Sequence, residues 1–231
     1  MENITIKLPD GSKKELPGGS NGFDLASSIG PGLAKDAVAI TANGIQQDLF
    51  DPLQPDSEVS IITIKSAEGL EIMRHTLTAQ VLASAIKNLY PDAKLAIGPT
   101  IEDGFYYDFL PTKAVSIDNL PQIEDEMRNI LNNSSQINKT YHTKDEALNM
   151  FDNLEEGFKS EIICDAEQKD NFQIYTQKPT GFIDLCKGPH LPNLDHIGAF
   201  KLTKVSGAYW RGDSSKPMLT RIYGTAWNSQ K

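Results

Sequence analysis

The hydrophobic pattern of the chain changes its period near residues 65–69, and this change constrains the fold more than any other feature. Before it, apolar residues alternate with polar ones, which is the pattern of a half-buried strand. After it, from Leu70 to Leu89, apolar residues recur at the spacing of one helix face. The polar segment at the change therefore predicts a boundary between two domains.

Residues 1–64 are predicted to form a small sheet with one helix. Strand patterns occupy residues 4–8, 13–16, 38–42, 45–49 and 59–64. Asn43 and Gly44 form a residue pair that strongly favours a tight hairpin turn. A short helix is predicted over residues 23–29, where it ends at the Gly-Pro pair that follows. This order of strands, hairpins and one helix predicts a β-grasp, ubiquitin-like fold.

Residues 67–227 are predicted to form an α+β domain. Helical patterns occupy residues 70–89, 118–132 and 146–151. Strand patterns occupy residues 94–97 and 104–109, and short strands separated by glycine and proline are predicted after Phe172. The predicted class of the whole chain is therefore α+β, with a β-grasp domain followed by a mixed domain.

Composition is that of a soluble globular protein. Hydrophobic residues make up 39% of the chain and charged residues 23%, which permits a packed core without cross-links. No apolar run reaches the length that spans a bilayer, and the first residues lack the layout of a signal peptide. We therefore expect a cytoplasmic location and no contact with a membrane.

The chain contains two cysteines, Cys164 and Cys186. A single pair in an intracellular chain is more often two free thiols than a disulfide, so both are predicted to be free. Cys164 lies in an apolar stretch and is predicted to be a small core residue.

The net charge of −9 is unevenly distributed. Residues 201–231 contain six basic residues and one acidic residue, so this segment carries +5 and the rest of the chain carries −14. A basic segment on an acidic body can hold a phosphate backbone. The charge pattern therefore predicts a nucleic-acid contact in this segment, with a chance cluster of surface charges as the alternative.

Three motifs in the second region occur in order along the chain. They are residues 96–108 (AIGPTIEDGFYYD), residues 182–190 (FIDLCKGPH) and residues 207–227 (GAYWRGD followed by RIYGTAW). These motifs resemble segments of the bacterial threonyl-tRNA synthetase family. The β-grasp region matches that family's first domain in type and place, so the resemblance covers essentially the whole chain.

The resemblance implies an editing function. A site that activates threonine discriminates against serine by one methyl group, which is worth only about 1–3 kcal/mol. The family therefore carries a second domain that hydrolyses the ester of mischarged seryl-tRNA(Thr), and its partner is the tRNA acceptor end. The family continues into an ATP-dependent catalytic core that these residues lack. The sequence is expected to be a fragment of such a synthetase, with a free-standing editing protein as the alternative.

The resemblance also implies roles for individual residues. Catalytic roles are implied for His190, Lys159, Cys186 and His75. Substrate-binding roles are implied for Asp184, Tyr107, Gln80, Thr76, Tyr209 and Arg211. An imidazole can move a proton near neutral pH, and a lysine cation can stabilise a developing oxyanion. Three of these residues also have structural interpretations, as a buried thiol for Cys186, a strand aromatic for Tyr107 and a surface charge for Lys159.

The first helix of the second region departs from the family's pattern of two histidines on one face. Counting forward from His75 puts Ala79 at the second histidine position, whereas counting back from Ala85 puts Gln80 there and Thr76 at the first. Residues 75 and 80 lie ~140° apart on a regular α-helix. The segment from His75 to Ala85 has one residue more than the family pattern. Residues 75 and 80 share a face only if this extra residue is absorbed as a π-bulge. With the bulge, His75 and Gln80 are expected to line the pocket; without it, Thr76 and Gln80 are.

No metal or other cofactor is expected. Cys186, His190 and His75 supply at most three donors, whereas a closed zinc site needs about four. Two further functions remain open besides editing. One is a non-catalytic RNA-binding module that has kept the fold, and the other is a thiol- or metal-binding domain centred on Cys186 and His190.

Overall fold

The computed structural model describes residues 2–133 and 136–228, which divide into two compact units. The first unit comprises the chain up to Met73 together with Gly188–His196, and the second comprises Arg74–Lys187 with the residues from Ile197 onward. The sequence-based domain limits of 1–64 and 67–227 stay a prediction.

The first unit contains five strands and two helices. The strands are β1 (Asn3–Lys7), β2 (Lys13–Pro17), β3 (Ala37–Ala42), β4 (Ile45–Asp48) and β5 (Val59–Thr63), and the helices are α1 (Gly22–Ile29) and α2 (Pro31–Asp36). β1 pairs antiparallel with β2, and β3 pairs antiparallel with both β4 and β5. A parallel bridge joins Lys7 to Glu58. This arrangement is the predicted β-grasp fold.

Local sequence signals explain the elements of the first unit. The Asn21 side chain accepts hydrogen bonds from two backbone N–H groups of α1, and Asp24 reaches back to the Asn21 N–H, which forms a capping box. Asn43 and Gly44 have φ angles of 48° and 80°, as a tight hairpin turn requires. Helix α2 was not predicted, because Pro31 was interpreted only as a stop, although proline is also favoured as a first helical residue.

The second unit contains four helices and eight strands within the described residues, besides the end of a helix that begins in the first unit. The helices are α3 (Ala67–Thr76), which crosses the division, α4 (Ala83–Leu89), α5 (Leu120–Asn133), α6 (Lys144–Asn153) and α7 (Gly157–Asp165). The strands are β6 (Lys94–Leu95), β7 (Thr100–Ile101), β8 (Gly104–Leu110), β9 (Gln136–His142), β10 (Phe172–Lys178), β11 (Ile183–Leu185), β12 (Ala199–Tyr209) and β13 (Met218–Trp227).

These strands form two sheets. One has the order β11-β10-β9, and the other has the order β12-β13-β8-β6, with β7 also paired to β8. No sheet in the described part of the chain combines strands of both units. The mixture of helices and sheets is the predicted α+β class.

Several features of the second unit differ from the sequence-based predictions, among them the strand Gln136–His142, which the sequence pattern does not predict. The last strands are long, with 11 residues in β12 and 10 in β13, rather than short. Glycines were interpreted as strand breaks, but Gly224 lies inside β13, where its missing side chain leaves room for the Phe105 ring. The sequence pattern does not predict helix α7, because Lys159 lies among its buried positions, beside Phe158 and Ile163, and breaks the apolar stripe.

A π-helical turn interrupts the first long helix of the second region. It covers Leu77–Leu82, between α3 and α4, and the Ala83 N–H donates to the Thr78 carbonyl five residues earlier. This turn is the π-bulge that one of the two sequence-based alternatives requires. No helix among the described residues is long and apolar enough to cross a bilayer.

Candidate functional site

The second unit contains a cavity of about 980 Å³. Six of the predicted site residues line it: His75, Tyr107, Lys159, Asp184, Cys186 and Arg211. They come from α3, β8, α7, β11, the residue after β11, and the turn between β12 and β13. Residues that are far apart in the sequence are thus brought to one wall.

A buried ion pair joins α7 to β11 at this wall. Lys159 Nζ lies 2.6 Å from Asp184 Oδ1, and their side chains are only 5% and 3% exposed. The interpretation of Lys159 as a surface charge is therefore wrong. Burial raises the pKa of Asp184 above its ordinary value, although the Lys159 ammonium acts in the opposite direction. A buried pair of this kind is costly to desolvate and is therefore more typical of a site than of a stabilising contact.

Tyr107 brings a buried hydroxyl to the same cavity. Its side chain is 1% exposed, and the hydroxyl has no hydrogen-bonding partner among the described residues. Burial, with added repulsion from the Asp184 carboxylate, raises the pKa of this hydroxyl well above its ordinary value. The phenol therefore stays protonated and can donate to a ligand.

Gly98 allows the Tyr107 ring to take this place. A Cβ atom at Gly98 would lie 2.2 Å from Cδ2 of the ring and 2.6 Å from Cγ2 of Thr78. Real side chains do not approach so closely, so only glycine permits the ring to pack against the backbone here. The glycine of the first motif is thus explained by the packing of the tyrosine in the same motif.

His75 and Cys186 are in direct contact. His75 Nε2 lies 2.9 Å from Cys186 Sγ, and both side chains are half-buried. This contact joins the end of α3 to the residue that follows β11. An imidazole and a thiol at this distance can exchange a proton.

The π-turn places Ala79, rather than Gln80, at the cavity wall. Thr76 and Gln80 are fully buried, and neither is among the residues that line the cavity. The expectation that His75 and Gln80 both line it is therefore correct for His75 only. The turn widens from Leu77 onward, so residue 79 still follows His75 by about one turn on the same face. Within the described residues, neither amide atom of Gln80 has a hydrogen-bonding partner.

Arg211 and Tyr209 occupy different positions. Arg211 lines the cavity, has a left-handed backbone with φ of 55°, and forms ion pairs with Asp165 and Glu161 on α7. A non-glycine residue in this conformation is costly and is often found at functional sites. Tyr209, at the end of β12, is 44% exposed and is not among the cavity-lining residues.

Several residues of the wall were not predicted. They are Ala79, Gly98, Lys187, Gln173, Asn171 and Glu167. Lys187 lies next to Cys186 inside the second motif, so its position in the sequence could have identified it. The last three follow α7 in a segment without a recognisable motif, and only the tertiary structure brings them to the cavity.

His190 belongs to the first unit. Its side chain is 2% exposed, and its backbone N–H donates to Asp48 Oδ1 at 2.8 Å. Whether it converges with the cavity residues of the second unit stays a prediction, and so does the expectation that no metal binds. Cys164 is exposed on α7, so its prediction as a core residue is wrong, because this helix buries Phe158, Lys159 and Ile163 instead.

The basic segment forms the β12–β13 hairpin. Lys201 is bound to the buried carboxylate of Glu124, whereas Lys204 is exposed, with Nζ 5.4 Å from the centre of the Tyr223 ring. Lys231, the last basic residue of the predicted segment, lies outside the described residues. The contact of this segment with a tRNA acceptor end stays a prediction.

Comparison with known proteins defines the class of each half. Residues 4–63 match the TGS domain, and residues 173–223 match the threonyl and alanyl tRNA synthetase second additional domain. The chain thus combines a β-grasp domain of the TGS type with a domain found in these two groups of synthetases.

Whole-chain relatives narrow this class. The chain is 46% identical over 226 residues to a threonine–tRNA ligase of Prochlorococcus marinus, and 45% identical over 226 residues to one of Hahella chejuensis. It is 46% identical over 231 residues to a threonine–tRNA ligase of Citrifermentans bemidjiense. These matches cover 98%, 98% and 100% of the chain but only 35%, 35% and 36% of the relatives. The resemblance to bacterial threonyl-tRNA synthetases is confirmed, and the chain spans about a third of their length.

Proposed function

We propose that the second unit hydrolyses the ester bond of serine mischarged onto threonine tRNA, as the editing region of a threonine–tRNA ligase. The observation that carries this proposal is the buried Lys159–Asp184 pair beside the unpaired Tyr107 hydroxyl in one cavity. An aminoacyl ester offers an ammonium group, a hydroxyl and a carbonyl oxygen. The cavity offers a carboxylate, a phenol and a lysine cation as their counterparts.

The reaction adds water to the carbonyl carbon and releases serine and the ribose hydroxyl. We assign proton removal from the water to His75, which contacts Cys186 at 2.9 Å. Lys159 stabilises the negative charge that develops on the carbonyl oxygen. The proton held by the imidazole then passes to the ribose oxygen as the ester bond breaks, so that atoms and charges balance.

Asp184 and Tyr107 orient the amino acid in this scheme. The carboxylate accepts hydrogen bonds from the substrate ammonium, and the phenol donates to an oxygen of the substrate. A second site of this kind compensates for the weak discrimination between threonine and serine at the threonine-activating site, because the two amino acids differ there by one methyl group.

The main alternative is an RNA-binding module without catalysis. Ala79 at the wall favours it, because this position holds the second imidazole of the family pattern when residues are counted forward from His75. A methyl group cannot accept a proton or hold a water molecule. The alternative therefore predicts the same RNA binding with no hydrolysis above the uncatalysed rate.

A deacylation assay separates the two functions. The protein is incubated with threonine tRNA charged with serine or with threonine, and release of each amino acid is followed in single turnover. We expect faster release of serine, and loss of this activity by ~10²–10³-fold in Lys159→Ala, because the oxyanion loses its cation. Lys113→Ala, at an exposed lysine of the same unit, is the matched control and should retain the activity.

Serine release at the uncatalysed rate by the folded, unmodified protein would contradict the proposal. Release of threonine as fast as serine would contradict the editing specificity while leaving an esterase.

A further inference from the structure

The five-stranded sheet of the second unit carries a stack of side chains on the face opposite to the cavity. Tyr107 lines the cavity, and successive residues of a strand point to opposite faces, so Tyr106 lies on the other face of β8. The register pairs Tyr106 with Tyr223 and Asp108 with Arg221 on the neighbouring strand. These four side chains therefore share one face.

Arg221 is held in this stack by one aromatic ring and one carboxylate. Its Cζ atom is 3.8 Å from the centre of the Tyr106 ring, and its Nε and one terminal nitrogen each donate to an oxygen of Asp108 at 2.7 Å. A bidentate pair fixes the plane of a guanidinium, and a ring beneath it fixes the height. The Asp108 hydrogen bonds raise the pKa of Arg221 further, so the group stays charged at every working pH.

The stack is accessible from outside. The Arg221 side chain is 23% exposed, whereas its Asp108 partner is 4% exposed. Tyr106 and Tyr223 are half-buried, with ring centroids 5.8 Å apart and planes tilted by 53°. Solvent therefore reaches the guanidinium and the two rings of the stack, while the Asp108 carboxylate that binds the guanidinium is shielded.

We propose that this stack of Tyr106, Arg221 and Tyr223 is a platform for an unpaired base of an RNA strand. Unpaired RNA bases are commonly bound by stacking on aromatic rings and guanidinium planes displayed on a sheet. Such a surface is effective when its side chains are already immobilised, since little conformational entropy is then lost on binding. Arg221 meets this condition, because two hydrogen bonds and one ring hold it.

Lys204 supplies a cation for the phosphate that lies beside a stacked base. It is exposed on β12, and its Nζ lies 5.4 Å from the centre of the Tyr223 ring. A phosphate that flanks the stacked base would find this cation at the edge of the platform. The platform and the lysine together predict a bound single strand rather than a duplex, whose bases are already stacked.

The inference rests on the proposed function only in taking RNA as the partner. Because Tyr106 faces away from the cavity, the stacked base lies outside the cavity and belongs to another nucleotide than the one that carries the ester. The platform therefore contributes to the binding of the RNA and not to the chemistry of the ester.

The test compares two hairpin RNAs that share one acceptor-type stem, one with a four-nucleotide unpaired 3′ tail and one with a blunt end. Binding to the full chain is followed by fluorescence anisotropy. We expect tighter binding of the tailed RNA, and a loss of about 5- to 100-fold for this RNA alone in Arg221→Lys or Tyr106→Leu, the range that stacking of one base supports. Each variant removes one flat group of the platform, and Arg221→Lys retains the charge.

A matched control distinguishes stacking from general damage. Arg128 also lies over an aromatic ring, 5.5 Å from the centre of Phe200, and pairs with the buried Glu124, but on α5. Arg128→Lys should leave the binding of both RNAs unchanged. Lys204→Ala should reduce the salt dependence of binding by about one phosphate contact, whereas Arg221→Lys should leave that dependence unchanged.

Equal affinity of the unmodified protein for the tailed and blunt RNAs would overturn the inference. Unchanged affinity of both platform variants, with native circular dichroism and thermal midpoints, would also overturn it. A short aminoacyl ester of adenosine cannot reach the platform, so its hydrolysis should be the same in Arg221→Lys and in the unmodified protein. Absence of that hydrolysis would contradict the proposed function and leave the platform unaffected.

Discussion

The two units differ in how closely they follow the local rules of structure. The first unit has a capping box at α1, a favoured hairpin pair between β3 and β4, and a core of alternating apolar residues. The second unit contains a π-turn, a left-handed arginine, a buried ion pair and unpaired buried polar atoms. Each of these features costs stability. The comparison therefore indicates that function determines the local structure of the second unit, whereas folding stability determines that of the first.

The largest expected effect concerns the imidazole at the cavity wall. His75→Ala should slow hydrolysis of seryl-tRNA by ~10²–10⁴-fold, because the attacking water loses its general base. The measurement is the single-turnover rate at fixed protein concentration. His142→Ala, which removes a half-buried imidazole of the same unit outside the cavity wall, is the control and should retain the rate. A rate reduced less than twofold in His75→Ala would place catalysis elsewhere in the cavity.

In the first unit we expect a substitution to change the free energy of unfolding rather than a reaction rate. Leu25 of α1 is fully buried in the core of that unit. Leu25→Ala should lower the free energy of unfolding by ~2–5 kcal/mol, because the variant loses apolar burial and leaves a cavity. Urea unfolding followed by circular dichroism measures this change. Leu154→Ala, at an exposed position, should change it by less than about 0.5 kcal/mol. Equal effects of the two variants would mean that α1 does not hold the first unit together.

The buried pair of the second unit predicts a pH dependence. Burial raises the folded-state pKa of Asp184 above its ordinary value of 3.8. The stability that this shift contributes is complete below the ordinary value and is lost as the pH rises through the folded-state value, because the unfolded chain ionises first. The free energy of unfolding of the unmodified protein, relative to Asp184→Asn, should therefore fall as the pH rises above the ordinary value. Urea titrations at several pH values measure the difference, and a rise would contradict the raised pKa.

The smallest expected effect tests the register of the π-turn. Ala79→His places an imidazole on the cavity wall, about one turn after His75, and should raise seryl-tRNA hydrolysis by a few fold. Gln80→His, at a fully buried position outside the wall, should not raise it. If Gln80→His is the more active variant, the side chain at position 80 reaches the substrate and the assignment of Ala79 to the wall is incorrect.

The difference between the two units also explains how much of each could be predicted from the sequence. Alternating residues and the Asn43–Gly44 pair predicted the strands of the first unit, because these signals act over a few residues. Pro31 shows the limit of such signals, since one residue type serves both to end a helix and to begin one. In the second unit the resemblance implied six residues that line the cavity, four of them within the three motifs, and no local pattern indicated the burial of Lys159. Its partner Asp184 lies on β11, a strand that follows Lys159 in the sequence. The exposure of Cys164 likewise depends on how α7 packs in the tertiary structure, which no local pattern indicates.

The π-turn also bears on how a helix can change its length. A residue added to a regular helix advances every later side chain by about 100° and would turn a packed helix out of its contacts. Here Arg74, before the turn, is buried and donates to the carbonyls of Ala226 and Glu102, while Ala85, after the turn, is fully buried. The wider turn offsets such an advance, so residues before and after Leu77–Leu82 are both buried. Insertions are usually tolerated in loops, but a π-turn such as Leu77–Leu82 can accommodate an added residue within a helix.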